Sequence, residues 1–202
     1  MAVICITGGI ASGKSTATKF LAEKGAVVID ADRLGHETYA SGSPANDKIA
    51  ARFGSEVRSS SGEIDRKLLG QIVFQDPTKL KELTDIVWPE IRKLAEQRIG
   101  KALDEEPARH IVLEAAVLIE AEWEDLGDEV WVVVVDPEIA IARCIARDNL
   151  ERSAVEQRIS AQLSNNERIR YAHRVLNNDS DEEALIEQLE EAFYAISNRS
   201  SV

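Results

Sequence analysis

Short apolar runs alternate with amphipathic stretches along the chain. The runs are rich in Val and Ile, and runs this continuous are typical of parallel strands that are buried on both faces. They cover residues 2–7, 26–30, 110–115 and 129–135, and a weaker run covers residues 174–178. The spacing of apolar residues predicts helices at residues 14–24, 137–148 and 181–197. This alternation predicts an α/β fold with a parallel sheet.

The region between residues 34 and 104 interrupts the alternation, because it shows helical patterns and no strand pattern. Asp65 is predicted to cap the helix that follows it, since a carboxylate can accept from the free N–H groups of a first turn. A long helical pattern covers residues 79–103, and Pro89 is expected to break or kink that helix. Further along, residues 153–172 are predicted to form two short polar helices.

A glycine-rich stretch, GGIASGKST, joins the first predicted strand to the first predicted helix. Glycine lets the backbone approach a ligand closely, and a helix N-terminus carries free N–H groups that attract anions. Residues Gly8 to Ser15 match the pattern G-x-x-x-x-G-K-[ST]. In proteins with this pattern, backbone N–H groups surround the phosphates of a nucleotide, the lysine reaches the β- and γ-phosphates, and the hydroxyl binds Mg²⁺. A glycine-rich turn without a ligand would leave the lysine and the serine unexplained. The candidate nucleotide-binding residues are Gly8, Gly9, Ile10, Ala11, Ser12, Gly13, Lys14, Ser15 and Thr16.

Two acids follow the second predicted strand in the sequence IDAD. If the strand continues that far, Asp30 and Asp32 point in the same direction. Such a pair suits a general base that accepts a hydroxyl proton, with the other acid ordering the site or the water of a metal. A single aspartate at a strand end is more often a helix N-cap, and that alternative stays open for each of them.

Arginines are concentrated after the fourth predicted strand. Arg143 and Arg147 are four positions apart, which places them on one face of a helix. Arg158 and Arg168 follow in the polar segment. Arginine side chains suit phosphate oxygens and the charge that develops in phosphoryl transfer. A salt-bridged helix surface is an equal alternative, because acids such as Asp148 are adjacent.

The composition narrows the class of protein. The chain has 202 residues, enough for one domain with a full core, and its net charge of −12 argues against a general nucleic-acid binder. The longest apolar run, residues 130–135, is far too short to span a membrane, and no secretory signal is recognisable. Cys5 and Cys144 lie in apolar periodic segments and are expected to be core thiols. We therefore expect a cytoplasmic protein with no membrane or nucleic-acid partner.

Several stretches make the chain resemble the dephospho-coenzyme A kinase family. In the family's order they are ITGGIASGKST, VIDADRLG, GEIDRKLLGQIVF, WPEIR, VLIE, ARCIARD and RISAQLSNNERIRYA with VLNND. Together they cover nearly the whole chain, and they are far more specific than the glycine-rich pattern from Gly8 to Ser15 alone. LGHETYA, EAAVLIEAEW and DEVW look most similar to the kinase part of bifunctional coenzyme A synthases, in which an adenylyltransferase precedes the kinase. Because the chain begins at its first strand, no such domain is expected within it; a monomer and a fusion or partnership with an adenylyltransferase both fit.

The resemblance implies a single P-loop kinase domain with a five-stranded parallel sheet. Its core would cover residues 1–33, 105–146 and 171–202. A helical insertion at 34–104 would bind the acceptor, and a mobile lid would cover 147–170. The implied reaction is phosphorylation of the ribose 3′-hydroxyl of dephospho-coenzyme A by ATP with Mg²⁺, the last step of coenzyme A synthesis.

The same likeness assigns roles to individual residues. Asp32 is expected to activate the hydroxyl, and Lys14 and Arg143 to act on the transferring phosphate. Arg143 and Arg147 are expected to bind ATP, and Ser15 to bind the metal. The residues expected to bind the acceptor are Asp32, His36, Arg66, Glu120 and Arg158.

The chain departs from the family's pattern at three places that concern the acceptor. A common proline is Ala116 here, a usual His-Pro pair is Trp88-Pro89, and an arginine four residues after the base aspartate is His36. An imidazole can still hydrogen-bond a phosphate, but it carries less charge at neutral pH. These departures concern acceptor binding and leave the phosphoryl-donor site unchanged.

Two other functions are compatible with the glycine-rich pattern from Gly8 to Ser15 alone. Another small-molecule or nucleoside-monophosphate kinase would share the loop but would need no apolar groove for a pantetheine arm. A nucleotide-dependent switch such as a GTPase should carry an Asn-Lys-x-Asp motif, which the sequence lacks.

Overall fold

The sheet contains the strands that the apolar runs predict. The computed structural model describes residues 1–199, and the strands within that range are β1 Val3–Gly8, β2 Val27–Asp30, β3 Ile111–Glu114, β4 Glu129–Val134 and β5 Arg174–Asn177. They form one five-stranded parallel sheet in the order β2-β3-β1-β4-β5. The predicted fold class is therefore confirmed. Because β1 is the central strand, the glycine-rich stretch leaves from the middle of the carboxyl edge, where α/β sheets bind ligands.

Helices connect and follow the strands. The α-helices in the described part of the chain are α1 Lys14–Glu23, α2 Ala31–Glu37, α3 Pro44–Phe53, α4 Arg66–Val73, α5 Pro77–Glu105, α6 Pro137–Asp148, α7 Arg152–Ser160, α8 Asn165–Ile169 and α9 Glu182–Arg199. Two short 3₁₀ helices cover Ser55–Val57 and Glu124–Leu126. The bounds of α6 match the predicted helix at 137–148, and α7 and α8 are the two predicted short polar helices. Asp65 caps α4 as predicted, accepting from the backbone N–H groups of Lys67 and Leu68 at 3.0 Å. Within residues 1–199, no helix is long and apolar enough to cross a membrane.

The main core lies between the sheet and the helices α1 and α9. Ile4 and Ile6 of β1 are fully buried against Leu21 of α1 and Leu185 of α9. Continuous apolar strands are buried because helices cover the sheet, as the sequence pattern predicts. Cys5 and Cys144 are both buried free thiols, as expected, and burial is the main cause that raises the pKa of Cys5 to about 12.

The chain divides into two compact units, residues 1–29 with 99 onward, and residues 30–98. The second unit consists of α2, α3, α4 and most of α5. A buried amide organises its interior: Asn46 Nδ2 donates to the carbonyl oxygens of Tyr39 and Gly62 at 3.0 and 2.9 Å, and its Oδ1 accepts from Arg58. The amide is fully satisfied and so fixes the polar loop at 54–65 to α3. The predicted segment boundaries at 34–104 and 147–170 stay predictions, and the predicted core segment 171–202 ends outside the described residues.

The expected break of the long helix at Pro89 is wrong, and the expected kink stays a prediction. The helix α5 runs without interruption from Pro77 to Glu105, with Pro89 in its interior. Proline removes only one backbone donor, and the cost is offset by burial of one continuous apolar face. That face includes Leu83, Val87, Ile91 and Ala95, each buried, so the helix is packed on both sides of the proline.

Candidate active site

The glycine-rich stretch forms a tight loop from the end of β1 into α1, which we call the phosphate loop (residues 8–16). Gly8 is the last residue of β1, and a Cβ there would overlap the carbonyl oxygen of Val133 in β4. Gly13 has a φ of 100°, a left-handed conformation that favours glycine. Two different constraints therefore require the two glycines, a close approach at Gly8 and a positive φ at Gly13.

The beginning of α1 is open to an anion. Its first turn has no side-chain cap and no acidic residue. The first N–H groups of a helix have no intrahelical acceptor, and the helix dipole places partial positive charge there. Lys14 adds a full charge, since its Nζ crosses the loop and donates to the carbonyl oxygens of Gly8 and Gly9 at 2.9 and 3.3 Å. This combination favours the binding of a phosphate group.

A cavity of about 630 Å³ opens over the phosphate loop. Residues 11–16 line it together with Arg143 and Arg147 of α6 and Asn178 after β5. Arg143 is half-buried and donates to the carbonyl oxygen of Ser180 at 3.2 Å. Four positions along the helix, Arg147 lines the same cavity but also holds Asp148 through two hydrogen bonds of 2.8 Å. Arg147 therefore has the ion pair of the salt-bridged interpretation, and its role in phosphate binding stays a prediction.

The expected metal ligand, Ser15, lies exposed in the first turn of α1 and lines the cavity. One turn further, Thr18 donates through its hydroxyl to Glu114 Oε2 at 2.9 Å. Glu114 ends β3, which pairs with β1. A carboxylate therefore lies at the carboxyl edge of the sheet, next to the strand that leads into the phosphate loop. Magnesium is usually held by one or two oxygen ligands, waters and substrate phosphates, and a hydroxyl with a nearby carboxylate fits that chemistry. The described residues contain no cluster of three or more His, Cys, Asp or Glu that could hold a metal by itself.

Glu120, which the resemblance assigns to acceptor binding, is paired with a buried arginine. Arg168 is 2% exposed, and its Nη2 lies 3.4 Å from Glu120 Oε1. Burial lowers the pKa of Arg168, and the carboxylate of Glu120 opposes that shift. Arg168 also donates to the carbonyl oxygen of Leu163. The pair thus holds the connection between α7 and α8 in place. Arg168 and Gly9 both line a second cavity, of about 590 Å³.

The two acids of IDAD do not form an extended pair. The strand β2 ends at Asp30, and Asp32 lies in the first turn of α2. Asp30 is the N-cap of that helix and accepts from the backbone N–H of Arg33 at 3.1 Å. The condition for a common direction of the two carboxylates, a strand that continues to Asp32, is therefore not met, because the chain turns into a helix directly after Asp30. Asp32 is exposed and shares a helical face with His36, four positions on.

The remaining acceptor candidates lie in different units. Arg66 begins α4 in the second unit, with its guanidinium carbon 6.0 Å from the ring centre of Tyr39. In the first unit, Arg158 lies exposed on α7 and contributes to lowering the pKa of Asp148, after the stronger effect of Arg147.

Comparison with known proteins connects this geometry to a family. A family model described as dephospho-CoA kinase matches residues 2–184. The chain belongs to the dephospho-CoA kinase family. It is 45% identical to the dephospho-CoA kinase of Geobacter sulfurreducens over 95% of this chain and 96% of that protein. A solved structure of the dephospho-CoA kinase of Campylobacter jejuni superposes with a TM-score of 0.71 at 26% identity, covering 98% of both chains. A shikimate kinase from Acinetobacter baumannii, with a TM-score of 0.54 at 15% identity, covers 98% of this chain and 94% of that one and shares the fold.

Members of the dephospho-CoA kinase family carry out the final step of CoA biosynthesis, in which ATP phosphorylates dephospho-CoA. The structure places three further residues at the donor side that the sequence analysis did not single out. They are Glu114, Gln162 and Asn178. Glu114 was recognisable as an acid that ends a buried strand. Gln162 and Asn178 lie in the family stretches RISAQLSNNERIRYA and VLNND, but the local sequence does not show their contact with the phosphate loop, which each reaches from more than 150 positions away.

Proposed function

We propose that this chain transfers the γ-phosphoryl group of ATP to the ribose 3′-hydroxyl of dephospho-CoA. One observation carries the proposal: in a chain of this family, α1 begins at Lys14 with no side-chain cap. The bond between the γ-phosphorus and its bridging oxygen to the β-phosphate breaks, and a bond from the 3′-oxygen to the γ-phosphorus forms. The products are ADP and CoA, and the hydroxyl proton leaves to a base.

On the donor side the protein contributes positioning and charge. N–H groups at the start of α1 bind the β- and γ-phosphates, and Lys14 exchanges its contacts with the loop carbonyls for phosphate oxygens. Arg143 stabilises the charge that develops on the transferring group. Ser15 would hold Mg²⁺, with Glu114 near enough in the fold to order its water. When bound, Mg²⁺ neutralises charge on the β- and γ-phosphate oxygens.

On the acceptor side we propose Asp32 as the general base. It lies exposed in the first turn of α2, directly after the carboxyl end of β2, the edge at which α/β sheets bind ligands. His36 and Arg66 are proposed to bind the acceptor from the second unit. Arg158 is proposed as a further cation for the acceptor.

Four other features stay predictions that fit this function. Residues 147–170 would close as a lid and exclude water, since hydrolysis would otherwise waste ATP. A buried pair with Arg168 suggests that Glu120 serves the acceptor by holding this segment in place. A cytoplasmic location and an adenylyltransferase partner, fused or separate, are the remaining expectations.

The decisive experiment compares acceptors under the same conditions. A coupled assay should measure ADP release with ATP and dephospho-CoA, adenosine or AMP, and mass spectrometry should identify the product. We expect dephospho-CoA to be strongly preferred and the added phosphate to lie on the 3′-oxygen. Equal efficiency with all three acceptors would contradict the proposed substrate and leave only a kinase of this fold.

A further inference from the structure

Two side-chain amides from outside the motif hydrogen-bond to the backbone of the phosphate loop. Gln162, between α7 and α8, accepts from the backbone N–H of Ile10 at 3.0 Å through its Oε1. Asn178, directly after β5, donates through its Nδ2 to the carbonyl oxygen of Ser12 at 2.8 Å. One amide therefore holds an N–H group and the other holds a carbonyl group, on either side of Ala11. These contacts fix two peptide groups of the loop.

The position of Asn178 is itself well determined. Its backbone N–H donates to the carbonyl oxygen of Val134 at 2.9 Å, which continues the ladder between β4 and β5. The side chain is almost completely buried and lies directly against Gly13, where a Cβ would overlap Nδ2. Gly13 thus has a second reason to be glycine, since the missing side chain makes room for this amide.

The contact determines how α1 begins. A peptide group is planar and trans, so fixing the Ser12 carbonyl also fixes the N–H of Gly13 on the opposite side of the bond. Ser12 is 1% exposed, and a buried carbonyl that loses its donor is destabilised. Without Asn178 the peptide between Ser12 and Gly13 could rotate, and the N–H groups at the start of α1 would lose their common direction.

The position of Gln162 is held by its neighbours. The backbone N–H of Leu163 donates to Glu120 Oε1 at 3.5 Å, and Arg168 donates to the Leu163 carbonyl oxygen. Because Arg168 is buried and paired with Glu120, the backbone beside Gln162 is fixed from both sides. The amide oxygen can therefore meet Ile10 without first ordering a free segment.

We propose that Asn178 and Gln162 are positioning residues that hold the phosphate loop in its phosphate-binding conformation. The proposal rests on the proposed function only in taking the phosphates of ATP as the ligand of the loop. Both residues act through backbone groups of the loop. Their loss should weaken binding of any ligand that carries the phosphate chain and leave binding of the nucleoside part unchanged.

The test measures binding of ATP, ADP, inorganic tripolyphosphate and adenosine by calorimetry or competition, without acceptor. Asn178→Leu and Gln162→Leu each remove the amide at similar volume, and Asn178→Ala is a second variant should leucine disturb folding. We expect affinity for ATP and tripolyphosphate to fall about ten-fold or more, the effect of losing one buried hydrogen bond that orients the site. Adenosine affinity should stay within about two-fold of the parent. Gln157→Leu, on the exposed side of α7, is the matched control and should change neither.

Other outcomes would overturn the proposal. If adenosine affinity falls as much as ATP affinity in the Asn178 variants, Asn178 contacts the base and does not position the loop. If only the melting temperature falls and all four affinities are unchanged, both amides are merely structural. Because no acceptor is present in this assay, a wrong assignment of dephospho-CoA would leave its result unaffected.

Discussion

Two strand-to-helix junctions of this protein use opposite chemistry at the helix start. After β1, the helix α1 begins at Gly13 with a left-handed residue, no side-chain cap and no acid in its first turn. After β2, the helix α2 begins directly at Asp30, whose side chain caps it, with Asp32 in the first turn. The first junction leaves its N–H groups and partial positive charge for a ligand, whereas at the second the side chain of Asp30 accepts from the N–H of Arg33 and Asp32 adds negative charge.

The difference separates binding from proton transfer. An uncapped helix start needs an anion and so suits the phosphates of ATP. At the capped start, Asp32 lies exposed in the first turn of α2, where we propose it as the base. A capping or acidic residue at the start of α1 would compete with the phosphates of ATP, whereas such residues at the start of α2 do not. The following variants test this contrast, beginning with the largest expected effect.

Removing the charge at the open junction should stop the reaction. Lys14→Ala is expected to lower turnover by about 10³-fold or more, because the lysine supplies charge to the transferring phosphate. Its melting temperature should change little, since Lys14 contributes no buried apolar packing. Steady-state kinetics and thermal melting measure the two effects. The matched control is Lys19→Ala, an exposed lysine on the same helix; near-normal turnover in Lys14→Ala would refute the phosphate-site assignment.

At the capped junction, the two aspartates should behave differently. Asp32→Asn is expected to lower turnover about 10²–10⁴-fold, the usual contribution of a general base, while ATP affinity stays within about three-fold. Asp30→Asn should be nearly silent, because asparagine caps helices as well as aspartate does. Kinetics and ATP titration of both variants measure this. The base is assigned to the wrong carboxylate if Asp30→Asn is inactive and Asp32→Asn is not.

The two arginines that line the nucleotide cavity should contribute unequally. Arg143→Ala is expected to lower turnover about 10²-fold, whereas Arg147→Ala should cost less because Asp148 already holds that guanidinium. The two variants are matched, because they carry the same substitution on the same helix, four positions apart. If Arg143→Ala lowers only the melting temperature, the salt-bridged helix surface is the correct interpretation for both.

Giving α1 the chemistry of α2 should trade binding for stability. Thr16→Asp places an acid in the first turn of α1, where the helix dipole should stabilise the ligand-free protein by about 0.5 kcal/mol. The same charge repels phosphates, so ATP affinity should fall about ten-fold or more. Thermal melting and ATP titration report the two effects, and Lys19→Asp further along α1 is the control. An unchanged ATP affinity would mean that the phosphates lie away from this turn.

The smallest effect is expected from the cap itself. Asp30→Ala should destabilise the protein by about 1 kcal/mol, because a first-turn N–H loses its acceptor. Turnover of the folded enzyme should remain near that of the parent. Denaturant unfolding and kinetics measure the two quantities together. Equal losses of activity in Asp30→Ala and Asp32→Asn would show that Asp30 does more than cap α2.

Local chemistry in the sequence was sufficient for much of this protein. The glycine spacing, Lys14 and the apolar run before them predict the phosphate loop, because each element of that motif lies within a few residues of the next. Proline at a helix start likewise predicts α6 correctly at residues 137–148. The order of family motifs predicts the kinase family, which the comparisons confirm.

Only the tertiary structure decided the features that depend on distant partners. Local propensity predicts an interruption at Pro89, yet burial on both sides of it keeps α5 continuous. Asp30 both ends β2 and caps α2, and this depends on where β2 stops pairing, which no nearby residue encodes. Asn178 meets Ser12 across 166 positions of sequence. Such contacts form because the parallel sheet brings the ends of β1 and β5 to the same edge, and sequence spacing carries no trace of that proximity.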